Sequence, residues 1–290
     1  KENREFITQV FLNRPHIAIN YIDFIKENTN AKIIYYGHDL HFLREMRKYE
    51  LTKDKKVLID SKDWKEKELY LMKKADVVYY PSNVEIDEIA KIDASIGAKA
   101  IIAYIFNQEI SERYRFDKRK DIMFVGGFTH TPNVDAVLWF AKEIFPKVVK
   151  ALPDIKLYVL GSNPPLEIQN LDSSSIIVKG FVPDDELEQF YRSCRISIVP
   201  LRYGAGIKGK VIEAMRYGIP VETTSVGAEG ILEIEKILCI EDDAEKFADE
   251  LINLYNNRFR LEKMSKESCK YIRNNFSEEN AWKIIEEDFI

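Results

Sequence analysis

The sequence predicts an α/β protein made of two Rossmann-like units, each a parallel sheet covered by helices and together facing a cleft. Three observations lead there. Short apolar runs alternate with longer helical patterns along the chain. Those runs are nearly continuous rather than alternating, as in strands buried on both faces. A polar stretch without periodicity, Phe106 to Lys120, separates two such alternating sets and reads as a linker.

In the first set, Phe6 to Leu12 reads as a strand, Asn13 to His16 as a turn and Ile17 to Lys26 as a helix. Ala31 to Tyr36 is the second strand, ending at Gly37-His38-Asp39-Leu40-His41 before a charged helix. A Lys- and Glu-rich helix covers Ser61 to Lys74, a third strand Ala75 to Tyr80, and a fourth Ala98 to Tyr104. A complete doubly wound domain has about six strands. The deficit, with the missing initiator Met, implies that the first strands are absent.

The second set opens with the strand Asp121 to Val125 and the turn Gly126-Gly127. Thr131 is the expected N-cap of the next helix, with Pro132 at its first position. Val137, Phe140, Ala141, Ile144, Phe145 and Val148 form one face of that helix. Strands follow at Ile155 to Leu160 and Ser175 to Val178, then a helix capped by Asp184 or Asp185. Ile196 to Val199, Ile219 to Val221 and Lys236 to Ile240 are the remaining strands. Three helices finish the chain, at about Asp243 to Tyr255, Phe259 to Phe276, and Ser277 onward. The expected domains are 1–108 and 109–276, with 277–290 a helix packing back toward the first.

Composition narrows the function. With 46% hydrophobic and 31% charged residues, the 290-residue chain is globular and large enough for two cores. A net charge of −5 carries no footprint for nucleic acid or an anionic membrane. Cys194, Cys239 and Cys269 show neither metal-ligand spacing nor a disulfide framework, which points to a reducing cytoplasm and to packing roles. No apolar segment is long enough to span a bilayer, and Lys1 to Glu5 has no signal-peptide core.

One stretch carries the chemistry. Tyr203-Gly204-Ala205-Gly206-Ile207-Lys208-Gly209-Lys210 follows an apolar strand and opens a helix that carries Glu213. A Gly-rich turn at a helix start offers free backbone N–H groups at the positive end of the dipole. Two lysines and a carboxylate beside it suit a ligand with a phosphate end and a hydroxyl-rich end, such as a nucleotide sugar. An ordinary strand–helix connection with solvated lysines is the alternative. Gly37-His38, Gly126-Gly127, Gly161, Gly180-Phe181 and Gly227 to Gly230 also stand at strand carboxyl ends, where ligands bind in open parallel sheets.

An ordered series of motifs then resembles the C-terminal domain of GT-B glycosyltransferases, of the retaining family 4 type (glycosyl transferases group 1). It runs through Phe124-Val125-Gly126-Gly127-Phe128, Thr131-Pro132-Asn133-Val134-Asp135-Ala136, Leu160-Gly161 and Lys179-Gly180-Phe181-Val182-Pro183. It continues through Val199-Pro200-Leu201-Arg202, Gly204 to Lys210, Glu213-Ala214-Met215, Gly218-Ile219-Pro220-Val221 and Gly227-Ala228-Glu229-Gly230-Ile231. Gly37 to Arg44 and Ala75 to Glu85 resemble N-terminal-domain segments of the family more loosely.

The resemblance implies a GT-B architecture and sugar transfer from a nucleotide-diphospho-sugar to a saccharide or lipid-linked acceptor, with retention and without a metal or other cofactor. It implies that Lys210 and Lys208 meet the leaving diphosphate and that His38 lies on the acceptor side. Gly126, Gly127, Gly206 and Gly209 would let backbone approach the donor, and Glu213 would hold the ribose. Phe181 and Val182 would line the base pocket, or simply pack in the core. Glu229, Gly230 and Ile231 would sit near the donor sugar or phosphate, unless Glu229 only caps the following helix. Glu213 could likewise be a surface residue paired with Lys210 or Arg216. Two departures stand out. Ala205 occupies the place of the motif's first glutamate, and the usual Arg of the first Gly-rich turn is absent. Glu222 stands where the family is usually apolar. The implied setting is bacterial surface polysaccharide synthesis in the cytoplasm, with peripheral membrane association through the absent N-terminal region. A nucleotide-sugar 2-epimerase of the same fold, or a non-catalytic nucleotide-sugar-binding subunit, are the alternatives.

Overall fold

The computed structural model describes residues 4–102, 104–106, 116–232, 234 and 237–289. They form two compact units. Unit 1 takes the chain up to Ile105 together with Tyr203–Ile207 and Glu278–Ile290, and unit 2 takes Phe106–Arg202 and Lys208–Ser277. Residues 203–207, assigned by sequence order to the second domain, thus group with unit 1. The 108/109 boundary and most of the linker lie outside the described residues.

Unit 1 contains β1 (Gln9–Asn13), α1 (Pro15–Ala18), α2 (Ile22–Asn28), β2 (Lys32–Tyr36), α3 (His41–Thr52), α4 (Lys55–Lys74), β3 (Val77–Tyr80), α5 (Asn83–Asp93) and β4 (Lys99–Ala100). All pairings are parallel, in the order β1-β2-β3-β4. Ile33, Tyr35, Val78 and Tyr80 pack with Leu71 and Met72 of α4 on one face. At the end of β2, a Cβ on Gly37 would fall 2.1 Å from the Tyr80 ring, so only glycine fits beneath it.

Unit 2 contains β5 (Lys120–Val125), α6 (Thr131–Trp139), α7 (Phe145–Ala151), β6 (Leu157–Leu160), α8 (Leu166–Gln169), β7 (Ile176–Gly180), α9 (Asp184–Ser193), β8 (Cys194–Val199) and α10 (Gly209–Arg216). It continues with β9 (Val221–Thr223), α11 (Ser225–Ala228), β10 (Leu238–Ile240), α12 (Ala244–Asn256) and α13 (Arg258–Asn275). The last helix, α14 (Glu278–Phe289), groups with unit 1. There Asp288 bonds the Tyr79 hydroxyl and the Lys99 amine.

The unit 2 sheet is parallel, in the order β10-β9-β8-β5-β6-β7. Numbered along the chain within the unit, this is the 3-2-1-4-5-6 order of dinucleotide-binding sheets. Its direction reverses between β5 and β8, so a crevice forms outside their carboxyl ends.

The structure corrects several local expectations. The first strand starts at Gln9, because Arg4–Phe6 forms a 3-10 turn. The helix expected over Ile17 to Lys26 is broken into α1 and α2. The fourth strand is only Lys99–Ala100, since its pairing with β3 covers two residues at the sheet edge. Residue 130, not Thr131, occupies the N-cap of α6, and no side chain caps it. Pro183, not Asp184 or Asp185, precedes α9, and the acids lie in its first turn where the helix dipole favours them. A π-helical turn, Phe140–Ile144, interrupts the α6–α7 helix just before Pro146, which cannot donate to the ladder. The strand expected at Ile219 to Val221 is shifted to Val221–Thr223, which puts Glu222 at its centre.

Candidate donor and acceptor sites

In unit 2 the switch point gathers the Gly126-Gly127 turn after β5 and the start of α10 after β8. Lys210, on the first turn of α10, donates to Asn133 Oδ1. Its amine lies 4.4 Å from the centre of the Phe124 ring. A Cβ on Gly126 would stand 2.6 Å from Lys210 Nζ and 2.7 Å from Asn133 Nδ2, so the turn backbone closes on the amine. A Cβ on Gly127 would meet only Ser162 Oγ at 3.5 Å, an ordinary contact. Burial, with the neighbouring Lys208 charge, pulls the Lys210 pKa down to about 7.

Lys208, directly before α10, pairs with Glu229 Oε2 at 3.4 Å, with side chains 10% and 8% exposed. The sequence placed both in the site, and the fold brings them together. Glu229 follows α11 rather than capping a later helix. Gly230 takes a left-handed φ of 80°, and Ile231 is buried behind it.

Glu213 lies one turn beyond Lys210 on α10. It pairs with neither alternative partner: Lys210 is held by Asn133, and the Arg216 guanidinium lies 4.6 Å over the Phe106 ring. Instead Glu213 Oε2 accepts from the Tyr191 hydroxyl at 3.2 Å. Tyr191 stacks on Tyr217 with centroids 4.7 Å apart. Burial raises the Glu213 pKa. Phe181 is 74% exposed, which excludes the core-packing alternative, while Val182 is half-buried.

His38 and Gly206 lie in unit 1. His38 ends β2 with φ 63°, an uncommon conformation for a non-glycine residue, and its ring sits 4.3 Å from Tyr36. Burial is the main cause that lowers its pKa, with the Arg14 charge next. Gly206 has φ 76°, and a Cβ there would fall 2.8 Å from Glu85 Oε1 and 3.2 Å from the His38 carbonyl oxygen. Arg47 donates to the Gly204 carbonyl at 2.6 Å, and Arg44 pairs with Asp39. Buried Glu68 accepts from the His41 and Phe42 backbone N–H groups at 2.9 and 3.0 Å, capping α3 from α4.

Three participants were not singled out from sequence: Asn133, Tyr191 and Glu68. Asn133 does stand inside a quoted motif, but its partners come from β5 and α10, and no local pattern announces them. Among the described residues no group of three or more His, Cys, Asp or Glu could hold a metal ion, and no helix is long and apolar enough to cross a membrane.

Residues 119–257 match the family model described as glycosyl transferases group 1. This region belongs to that family. An uncharacterized 44.6 kDa protein in the cps region of Klebsiella pneumoniae is 26% identical over 271 residues, covering 90% of this chain and 63% of the relative. The crystal structure of TarM superposes with a TM-score of 0.72 at 17% identity, covering 96% of this chain and 53% of TarM. S. aureus TarM in complex with fondaparinux, alpha-GlcNAc-glycerol and UDP gives 0.71 at 16% identity, covering 91% and 52%. Sucrose-phosphate synthase from Thermosynechococcus elongatus gives 0.66 at 16%, covering 97% and 71%. The fold is GT-B, and unit 2 is its group 1 glycosyltransferase region. The chain spans 53% of TarM and 63% of the Klebsiella pneumoniae relative.

Proposed function

We propose that the protein transfers a sugar from a nucleotide-diphospho-sugar to a saccharide or glycolipid acceptor, with retained anomeric configuration and without a metal, in bacterial surface polysaccharide synthesis. One observation carries the reading. Lys210 and Glu213 project from consecutive turns of α10 at the β5/β8 switch point, one against the Gly126 backbone and the other against Tyr191. A cation enclosed by glycine backbone suits a diphosphate. A carboxylate suits a vicinal diol, because it can accept two hydrogen bonds.

In this mechanism Lys210 and Lys208 stabilise charge developing on the leaving diphosphate, which is a major term in group transfer. Gly126, Gly127 and Gly209 leave room for its oxygens, and Glu213 holds the ribose. Exposed Phe181 and Val182 offer a surface for the base, while Glu229, Gly230 and Ile231 border the sugar. His38 serves the acceptor side, where Gly206 keeps its loop close to the His38 backbone. The incoming hydroxyl stays on the leaving-group face and gives its proton to the departing phosphate, so no side-chain nucleophile is required. An acceptor linked to lipid would bring the protein peripherally to the inner face of the membrane.

Support also comes from the fold relatives. TarM was crystallised with UDP, and E. coli trehalose-6-phosphate synthase with UDP-2-fluoro glucose. A further trehalose-6-phosphate synthase structure concerns glycosyl transfer with retention. Ala205, in place of a carboxylate, favours a second reading as a non-catalytic nucleotide-sugar-binding subunit.

Thermal-shift screening against UDP-, GDP- and dTDP-sugars tests the donor site, since a ligand that binds only the folded state raises its stability. Donor hydrolysis or transfer by the hit is the expected result. Binding without turnover supports the subunit reading, 2-epimer formation supports an epimerase, and no shift with any donor overturns the donor site.

A further inference from the structure

We propose that Asn133 is the positioning residue of the donor diphosphate site, holding the Lys210 amine beside the Gly126 backbone at the carboxyl end of β5. The inference rests on the reading of Lys210 as the cation that meets the diphosphate.

A lysine at a surface turn normally keeps its flexible ammonium in water. Here one buried amide, 4% exposed, joins three elements. Asn133 sits in the first turn of α6, donates through Nδ2 to the Gly127 carbonyl at 2.7 Å, and accepts through Oδ1 from Lys210 on α10. The amide cannot be reversed. A flip would set its NH2 against the ammonium and its oxygen against the Gly127 carbonyl, which are donor–donor and acceptor–acceptor clashes. The Phe124 ring face completes the enclosure.

The surrounding charges leave Lys210 to this arrangement. Lys208, on the preceding loop, is paired with Glu229; Asp135, on α6, is paired with Arg202; Glu213, on α10, bonds Tyr191. Asn133 Oδ1 and the Phe124 ring are therefore the groups that favour the charged amine, against burial and Lys208. Without the Asn133 tether, the lysine is free to swing into solvent. An incoming diphosphate would then have to order it again.

A double-mutant cycle separates positioning from general structural support. UDP and inorganic pyrophosphate affinities are measured by titration calorimetry for wild type, Asn133→Ala, Lys210→Met and the double variant. The expected result is a roughly tenfold loss for Asn133→Ala, which disappears in the Lys210→Met background. Additive losses would overturn the proposal. Unchanged affinity in Lys210→Met would instead remove the donor reading beneath it.

A second measurement needs no ligand. The pH dependence of Lys210 labelling by an amine-reactive reagent should shift to higher pH in Asn133→Ala, as the amine returns to water. It should also shift upward in Asn133→Asp, which keeps the side-chain size and places a carboxylate beside the amine. An unchanged midpoint in either folded variant overturns the inference.

Discussion

Lys208 Nζ lies 3.4 Å from Glu229 Oε2, and both side chains are at least nine-tenths buried. The pair joins the start of α10 to the end of α11, two loops at the carboxyl ends of adjacent strands. Breaking a buried pair by removing one partner leaves a charge without its counter-ion. Glu229→Gln should therefore lower unfolding stability by about 1–3 kcal/mol, allowing for the long separation. Urea denaturation at pH 7 checks this, and a loss within error would show that Lys208 is served by water instead.

Glu213 separates ligand recognition from packing. In Glu213→Ala the charge-assisted bonds to the ribose are lost, and UDP should bind more weakly by roughly 1.5–3 kcal/mol. In Tyr191→Phe only the hydroxyl that holds Glu213 is lost, so the effect should stay near 0.5–1.5 kcal/mol, about that of one neutral hydrogen bond. Equal affinity in wild type and Glu213→Ala, measured by calorimetry, would take Glu213 out of the site.

The pH profile follows from two shifted groups. Lys210 titrates at about 7 in the free protein, and a diphosphate prefers its charged form. UDP affinity should hold below that pH and decline above it. Glu213 has a raised pKa, and the ribose hydroxyls prefer the carboxylate, so affinity should climb as pH rises through that value. The expected profile is a bell. Lys210→Arg should flatten its alkaline limb, because a guanidinium stays protonated across the range. A profile that falls with the same midpoint in Lys210→Arg would assign that limb to another group.

The chain-order pattern of short apolar runs and helices was enough to read two parallel sheets, because both depend on periodicity within single segments. The GT-B site could be anticipated around Gly126, Lys208, Lys210, Glu213 and Glu229 because each stands in a local motif. Contacts between distant segments were not legible in the same way. Glu68 caps α3 from 26 residues away, and Asn133 meets Lys210 across 77. Pairing also decided the fourth strand, where apolar composition overstated a strand that bonds its neighbour over two residues only.

The two glycines of the first turn should not respond alike. A methyl on Gly126 would press on the Lys210 amine and the Asn133 amide, whereas one on Gly127 would make an ordinary contact with Ser162. Gly126→Ala should cost about 1–3 kcal/mol of stability through overpacking, and Gly127→Ala should remain within about 0.5 kcal/mol of wild type. Thermal and urea unfolding of the two variants side by side provides the comparison. Equal costs would mean that the turn shifts as a unit and relieves the Gly126 contact.

Glu222 is buried at the centre of β9, between β8 and β10, and neither of its carboxylate oxygens has a hydrogen-bond partner. Burial raises its pKa well above the ordinary carboxylate value; Glu250 adds to the shift and Arg260 opposes it. The sign of the consequence is fixed. Below the unfolded-state pKa the carboxyl is neutral in both states and folding carries no penalty. As pH rises from there, the unfolded chain releases a proton that the folded chain keeps, so stability falls until the folded group also ionises. Glu222→Gln removes that titration, and Glu222→Leu removes the unpaired polar atoms as well. Both variants should gain on wild type between pH 5 and pH 8, with Glu222→Leu more stable than wild type by about 1–3 kcal/mol at pH 8. Urea denaturation at the two pH values measures the difference, and a wild-type deficit that does not grow with pH would show that the carboxylate finds a partner on ionising.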